Sequence, residues 1–178
     1  ISLMAGGAGC GKTYSVSTIA SIAEELELKV VLAAPTGKAA QRLEEVVRHP
    51  ASTIHRLLGF DGHSFARGAD DRIEADILLI DEVSMVDVRL AWQLFQAVDL
   101  QKTAVVLVGD HNQLPPVGPG NLLRDLVRSR AIPTTILTRV IRQAGVLKEN
   151  SIAVLDGQVR PTSDVQVAGR RPWYVIDK

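Results

Sequence analysis

Residues 6–13, Gly6-Gly7-Ala8-Gly9-Cys10-Gly11-Lys12-Thr13, carry the spacing G-x-x-x-x-G-K-[ST], which is what a polyphosphate asks of a protein backbone. Gly6 and Gly11 permit turns that a side chain would block, so successive N–H groups can converge on an anion. A helix beginning near Gly11 adds the positive end of its dipole at the same point. Lys12 brings a full charge to the β- and γ-phosphates, and the Thr13 hydroxyl is a ligand for Mg2+. The predicted nucleotide contacts are Gly7, Gly9, Cys10, Gly11, Lys12, Thr13 and Tyr14.

Two further stations follow apolar runs. Ile77-Leu78-Leu79-Ile80 delivers the adjacent carboxylates of Asp81 and Glu82, with Ser84 close behind. Beside a magnesium nucleotide, Asp81 suits the metal, and Glu82 suits orienting and deprotonating the attacking water. Val105-Val106-Leu107-Val108-Gly109-Asp110 leads to Gln113, a neutral amide able to sense a γ-phosphate. Pro115-Pro116 stiffens the segment, so that a shift at Gln113 is passed on.

Other residues have two readings. In Pro35-Thr36-Gly37-Lys38, backbone amides, the Thr36 hydroxyl and Lys38 can grip a phosphodiester, and an N-cap explains Thr36 equally well. Thr53-Ile54-His55-Arg56 is a nucleic-acid contact or a capped short helix. Arg139 and Arg142 could neutralise a transferring phosphoryl group or be ordinary surface arginines. His49, His55, His63 and His111 are scattered and suggest no zinc site. No further acidic cluster has the spacing of a nuclease.

These groups require a scaffold that brings strand ends together. Short β-branched runs alternate with segments of helical period, which predicts α/β architecture: a mostly parallel sheet with helices on both faces. Strands are expected at Ile1–Ala5, Val30–Ala34, Ile77–Ile80, Thr103–Val108 and Thr134–Leu137. Their near-continuous apolar character suits strands buried on both sides. Helices are expected at about Lys12–Leu26, Gly37–Arg48, Val88–Val98, Asn121–Arg128 and Val146–Leu155, with Thr36 and Asp87 at N-cap positions. Phe60–Arg72, rich in Gly, Asp and His, reads as a surface excursion. The expected organisation is an ATPase domain over residues 1–156 and an extension over 157–178, in which Trp173–Ile176 has strand character.

Composition sets the outer bounds. The 178 residues suffice for one domain with a real core, and 46% hydrophobic with 22% charged is ordinary globular usage. Aromatics at 4% argue against a row of stacking rings for nucleic acid. Twenty basic residues balance twenty acidic ones, which neither implies nor excludes a polyanionic partner. A single cysteine rules out an internal disulfide. No run approaches membrane-span length and nothing resembles a signal peptide, so a cytoplasmic location is expected. The chain opens at Ile1 inside an expected strand, as a piece of a longer protein would.

Taken in order, GGAGCGKT, APTGKAAQRL, STIHRLLG, LLIDEVSMVD, VLVGDHNQLPPVGPG and LTRVIRQ resemble the first motor domain of a superfamily 1 helicase of the RecD-like type. The succession covers Ile1 to about Gln143. The resemblance implies a RecA-like P-loop NTPase domain, ATP and Mg2+ as cofactors, and movement along single-stranded DNA, usually 5′ to 3′. It also implies roles in DNA repair and recombination with partner helicase or nuclease subunits. Carried over by position, Lys12 and Thr13 serve the phosphates and metal, Asp81 the metal, and Glu82 the water. Gln113 couples phosphate state to the strand, Arg142 reaches the γ-phosphate, and Pro35, Thr36, Lys38 and His55 become strand contacts.

The sequence departs from the family pattern at several points. Ile141 stands where an aromatic commonly flanks adenine, and Ala8 and Cys10 replace the more usual Pro and Thr. The adenine-recognising glutamine segment and the second motor domain would lie outside these 178 residues. One domain alone has nothing to ratchet against, so the isolated chain is expected to bind ATP weakly, hydrolyse it slowly and unwind no duplex. An RNA helicase of the same superfamily, or a nucleotide-gated binding subunit without motor activity, are the alternatives that the residues leave open.

Overall fold

The computed structural model describes residues 1–139, 153–154 and 156–158. Its centre is a six-stranded sheet formed by β1 (Ser2–Gly6), β2 (Val30–Ala34), β3 (Ala51–Thr53), β4 (Ile77–Ile80), β5 (Ala104–Gly109) and β6 (Thr134–Leu137). The spatial order is β3-β2-β4-β5-β1-β6, and every pairing is parallel. Around it lie helices α1 (Lys12–Glu25), α2 (Gly37–Val47), α3 (Ile54–Leu57), α4 (Val88–Gln96) and α5 (Leu122–Ser129).

Strand alternation divides the core in two. Leu3, Ala33, Leu78, Ile80 and Leu107 point to one face, where Ile54, Ala91, Leu94 and Leu123 from α3, α4 and α5 cover them. Leu32, Leu79 and Val108 point to the other, against Val16, Ala20 and Ala23 of α1 and Leu43 and Val47 of α2. Helices therefore lie on both faces, which is why the inner strands β1, β2, β4 and β5 read as largely apolar runs rather than as alternating ones; the edge strand β6, expected to be buried on both sides, is instead half-exposed.

Helices α2 to α5 each begin at a side-chain cap. Thr36 accepts from the Ala39 N–H at 3.2 Å and Asp87 from that of Leu90 at 2.8 Å, as their positions predicted. Thr53 and Asn121 do the same for α3 and α5. The five expected strands and four of the five expected helices are present within a few residues of their anticipated limits. Two elements were not anticipated: the edge strand β3, and a 3-10 turn over Val83–Met85. The expected helix Val146–Leu155 lies outside the described residues apart from 153–154, and the expected strand Trp173–Ile176 lies wholly outside them.

Candidate functional site

Because all strands run the same way, their C-terminal ends share one edge of the sheet, where open α/β folds collect ligands. β1 ends at Gly6, β2 before Thr36, β4 at Ile80 and β5 at Gly109. The loop after β1 turns into α1 through Gly9 and Gly11, whose φ values are 80° and 86°, a region that favours glycine. Gly6 has a different reason. A Cβ there would sit 2.8 Å from the Leu137 carbonyl oxygen, so glycine is needed for the close approach of β6. No side chain caps α1, leaving the first amides of the helix as donors for an anion.

The Lys12 ammonium donates to the carbonyls of Gly6 at 2.7 Å and Gly7 at 3.0 Å. It also lies 4.0 Å from the Asp110 carboxylate, which is buried. β5 is the strand next to β1, so the first residue after it is the natural counter-charge for the lysine that opens α1. Asp110 also accepts from the Asn112 N–H at 2.9 Å. Sequence reasoning identifies Asp110 only as the polar end of a strand; the lysine opposite is not visible without the strand order.

A cavity of about 410 Å³ opens at this edge, and Lys12, Thr13, Asp81, Glu82 and Gln113 all line it. Burial pushes the Asp81 carboxyl above the ordinary aspartate range. The Glu82 N–H donated to Asp81 at 2.9 Å opposes that push, the Glu82 charge adds to it, and Lys12 and Arg42 oppose it. Glu82 has φ 53° and ψ 40°, a left-handed conformation that costs a non-glycine residue energy and often marks a functional turn. Gln113 bridges the segment: its Nε2 donates to Glu82 Oε2 at 3.3 Å, and its Oε1 accepts from Ser84 Oγ at 2.9 Å.

The cavity also contains Lys38 and Arg42. Four residues apart on α2, they share a helix face, which brings Lys38, expected as a strand contact, onto the same cavity as Lys12. Arg42 was not singled out from the sequence, although the helical spacing from Lys38 was the available signal. Among the predicted loop contacts, the Tyr14 side chain is exposed and that of Cys10 is buried. Neither side chain lines the cavity, and Gly7 is likewise not among the lining residues. Arg142 lies outside the described residues.

A second, larger cavity of about 1150 Å³ adjoins the first through Thr36, Met85 and Gln113, which line both. Pro35 and His55 are on its wall. The His55 ring packs against Phe60 at 5.3 Å and Phe65 at 5.7 Å between centroids, and Phe60 and Phe65 pair through one antiparallel bridge. The excursion after α3 therefore folds back to build an aromatic wall.

Among the described residues no group of three or more His, Cys, Asp or Glu is arranged around a metal. A divalent cation here would be of the kind held by one carboxylate, one hydroxyl and the oxygens of a nucleotide. Asp81 and Thr13, which both line the cavity, carry a carboxylate and a hydroxyl of that kind. Among the described residues no helix is long and apolar enough to cross a membrane.

The family described as "AAA domain" matches residues 1–119. The chain is 46% identical over 142 residues to the ATP-dependent RecD2 DNA helicase of Deinococcus radiodurans, a match covering 80% of this chain and 19% of that protein. It is 36% identical over 166 residues to the RecBCD enzyme subunit RecD of Mycobacterium tuberculosis, covering 80% of this chain and 29% of that one. The chain thus spans less than a third of either relative. In fold it is similar to the Pif1 helicase from Candida albicans, with TM-score 0.62 and 24% identity over 89% of this chain and 41% of that one. Pif1 from a Bacteroides species, solved with ADP-AlF4, aligns with TM-score 0.52 and 24% identity over 89% of this chain and 43% of that one.

Proposed function

The chain belongs to the AAA domain family, as a RecD-like helicase domain, and from this we propose that it is the ATP-hydrolysing motor domain of a DNA helicase. In this reading it moves on single-stranded DNA from 5′ to 3′, acts in the cytoplasm, and works with a second motor domain and with partner helicase or nuclease subunits.

The observation that carries the reading is the convergence of Lys12, Thr13, Asp81, Glu82 and Gln113 on one cavity. ATP bound there supplies the phosphoanhydride to be cleaved, and Mg2+ supplies charge neutralisation. The loop amides and Lys12 bind the phosphates. Thr13 and Asp81 would hold the metal. Glu82, whose side chain lines the cavity after a left-handed backbone turn, would take a proton from the attacking water. Gln113 contacts Glu82 on the nucleotide side and begins the Leu114-Pro115-Pro116 segment on the wall of the larger cavity. A change of phosphate state at one end of that rigid segment reaches whatever occupies the other. Pro35, Thr36 and His55 are its strand contacts, and Arg142 completes the nucleotide site.

The test uses the intact protein. Lys12→Ala and Glu82→Gln are expected to lower ATP hydrolysis at least about 100-fold, the scale on which removed charge-stabilising or proton-transferring groups act, and to abolish unwinding. Single-stranded DNA is expected to stimulate hydrolysis more than RNA. Full activity in either variant would refute the motor reading, and stronger stimulation by RNA would reassign the strand.

A further inference from the structure

Ser84 is 5% exposed and donates its hydroxyl hydrogen bond to Gln113. We propose that Ser84 is a positioning residue for the reaction: it fixes the orientation of the Gln113 carboxamide, and so the side on which Gln113 meets Glu82. This deepens the proposed motor function and rests on it.

The argument is one of donor and acceptor chemistry. An ionised carboxylate only accepts hydrogen bonds. At 3.3 Å from Glu82 Oε2, Gln113 must therefore present its NH2 and turn its carbonyl oxygen the other way. That oxygen needs a donor, and the Ser84 hydroxyl at 2.9 Å is the one in place. With both ends engaged, a flip of the amide would set its carbonyl against the Glu82 carboxylate. The opposite orientation is thus closed to it while Glu82 is ionised.

The link also spans two loops. Ser84 belongs to the turn after β4 and Gln113 to the segment after β5, 29 positions apart in sequence. The turn is itself anchored. The Ser84 N lies 3.3 Å from where a Cβ of Gly109 would be, so the bare glycine lets the turn rest on β5. Ser84 is then a fixed post, and Gln113 is the part whose orientation it sets.

In the intact protein, Ser84→Ala is expected to lower the kcat for ATP hydrolysis about three- to tenfold, the rate equivalent of one neutral hydrogen bond. KM for ATP should stay within about twofold, since Ser84 lines neither phosphate loop nor cavity. The shift in affinity for a fluorescent single-stranded oligonucleotide on adding a non-hydrolysable ATP analogue should shrink in the same variant. Ser84→Thr, which keeps the hydroxyl, should recover both.

The decisive arm is the cycle with Gln113→Ala. If Ser84 acts through Gln113, adding Ser84→Ala to Gln113→Ala changes neither kcat nor the oligonucleotide shift. Full additivity, or a silent Ser84→Ala single variant with Lys12→Ala still inactive, overturns the positioning role and leaves the motor reading standing. A wild-type protein without ATPase activity, or an active Lys12→Ala variant, overturns both.

Discussion

The Lys12 ammonium and the Asp110 carboxylate stand 4.0 Å apart, with only 12% and 5% of their side chains exposed. Phosphate and Asp110 would both draw on the same positive charge. The pair lends Lys12 a partner inside the protein, and a nucleotide has to share it.

Neutralising that partner should have effects of opposite sign on stability and binding. Asp110→Asn keeps an acceptor for the Asn112 N–H but leaves a nearly buried ammonium without its counter-charge. The expected loss of stability is up to about 3 kcal/mol, the lower end for a broken buried pair, read by urea denaturation. Nucleotide affinity should rise, because the site gains one net positive charge. Weaker binding of a fluorescent ATP analogue by the folded variant would mean that Asp110 orients Lys12 rather than competing for it.

Asp81 gives a pH signature. Burial is the leading cause that holds its folded pKa above the ordinary value of 3.8. Below 3.8 the carboxyl is protonated in both folded and unfolded chains, and its contribution to stability is fully present. As pH rises through the folded pKa, the folded protein must ionise a buried group and that contribution is lost. Asp81→Asn removes the loss and keeps an acceptor for the Glu82 N–H. Without nucleotide or metal, its Tm should exceed that of the wild type at about pH 7–8, with the gap closing toward about pH 4. A gap independent of pH would count against the assignment.

Sequence and structure agree most closely where burial is two-sided. β2 and β4 match the expected limits, because a strand covered on both faces leaves an unbroken apolar run; β6 matches them too, although it is a half-exposed edge strand. β3 escaped because Ala51, Ser52 and Thr53 are only half-buried at the sheet edge, so nothing in their types marks pairing. The Val83–Met85 turn escaped because it depends on the left-handed backbone of Glu82, which a glutamate does not advertise. Lys12, Thr13, Asp81, Glu82 and Gln113, which line the smaller cavity, were singled out in the sequence by their spacing and by the strands that precede them. The Lys12–Asp110 and Ser84–Gln113 contacts were not, since each depends on which strands are neighbours.

Gly118 is a steric requirement that the loop imposes. A Cβ there would overlap the Asp87 carboxylate, the group that caps α4 by accepting from Leu90. The neighbouring Val88 N–H donates to Pro119 at 3.0 Å, so the loop and the helix start are locked together. Gly118→Ala should cost about 1–3 kcal/mol, as overpacking does, and should uncouple ATP hydrolysis from single-stranded DNA by moving the segment that begins at Gln113. Gly68→Ala, where a Cβ meets nothing within 4 Å, should stay within about 0.5 kcal/mol of wild type. Equal denaturation midpoints for the two variants would show that the loop gives way freely.

Thr36 allows its two sequence readings to be separated, since they use different atoms. Its oxygen accepts from the Ala39 N–H at 3.2 Å, so it is the N-cap of α2; the hydroxyl hydrogen stays available for a phosphodiester in the adjoining cavity. Thr36→Ala removes both functions and should cost about 1 kcal/mol of stability together with oligonucleotide affinity. Thr36→Asp keeps an excellent cap but turns the donor into a negative charge. Its stability should match that of the wild type, while binding of single-stranded DNA falls further than in Thr36→Ala and recovers in part at high salt, where repulsion is screened. If Thr36→Asp binds the oligonucleotide as well as wild type, Thr36 serves the helix alone.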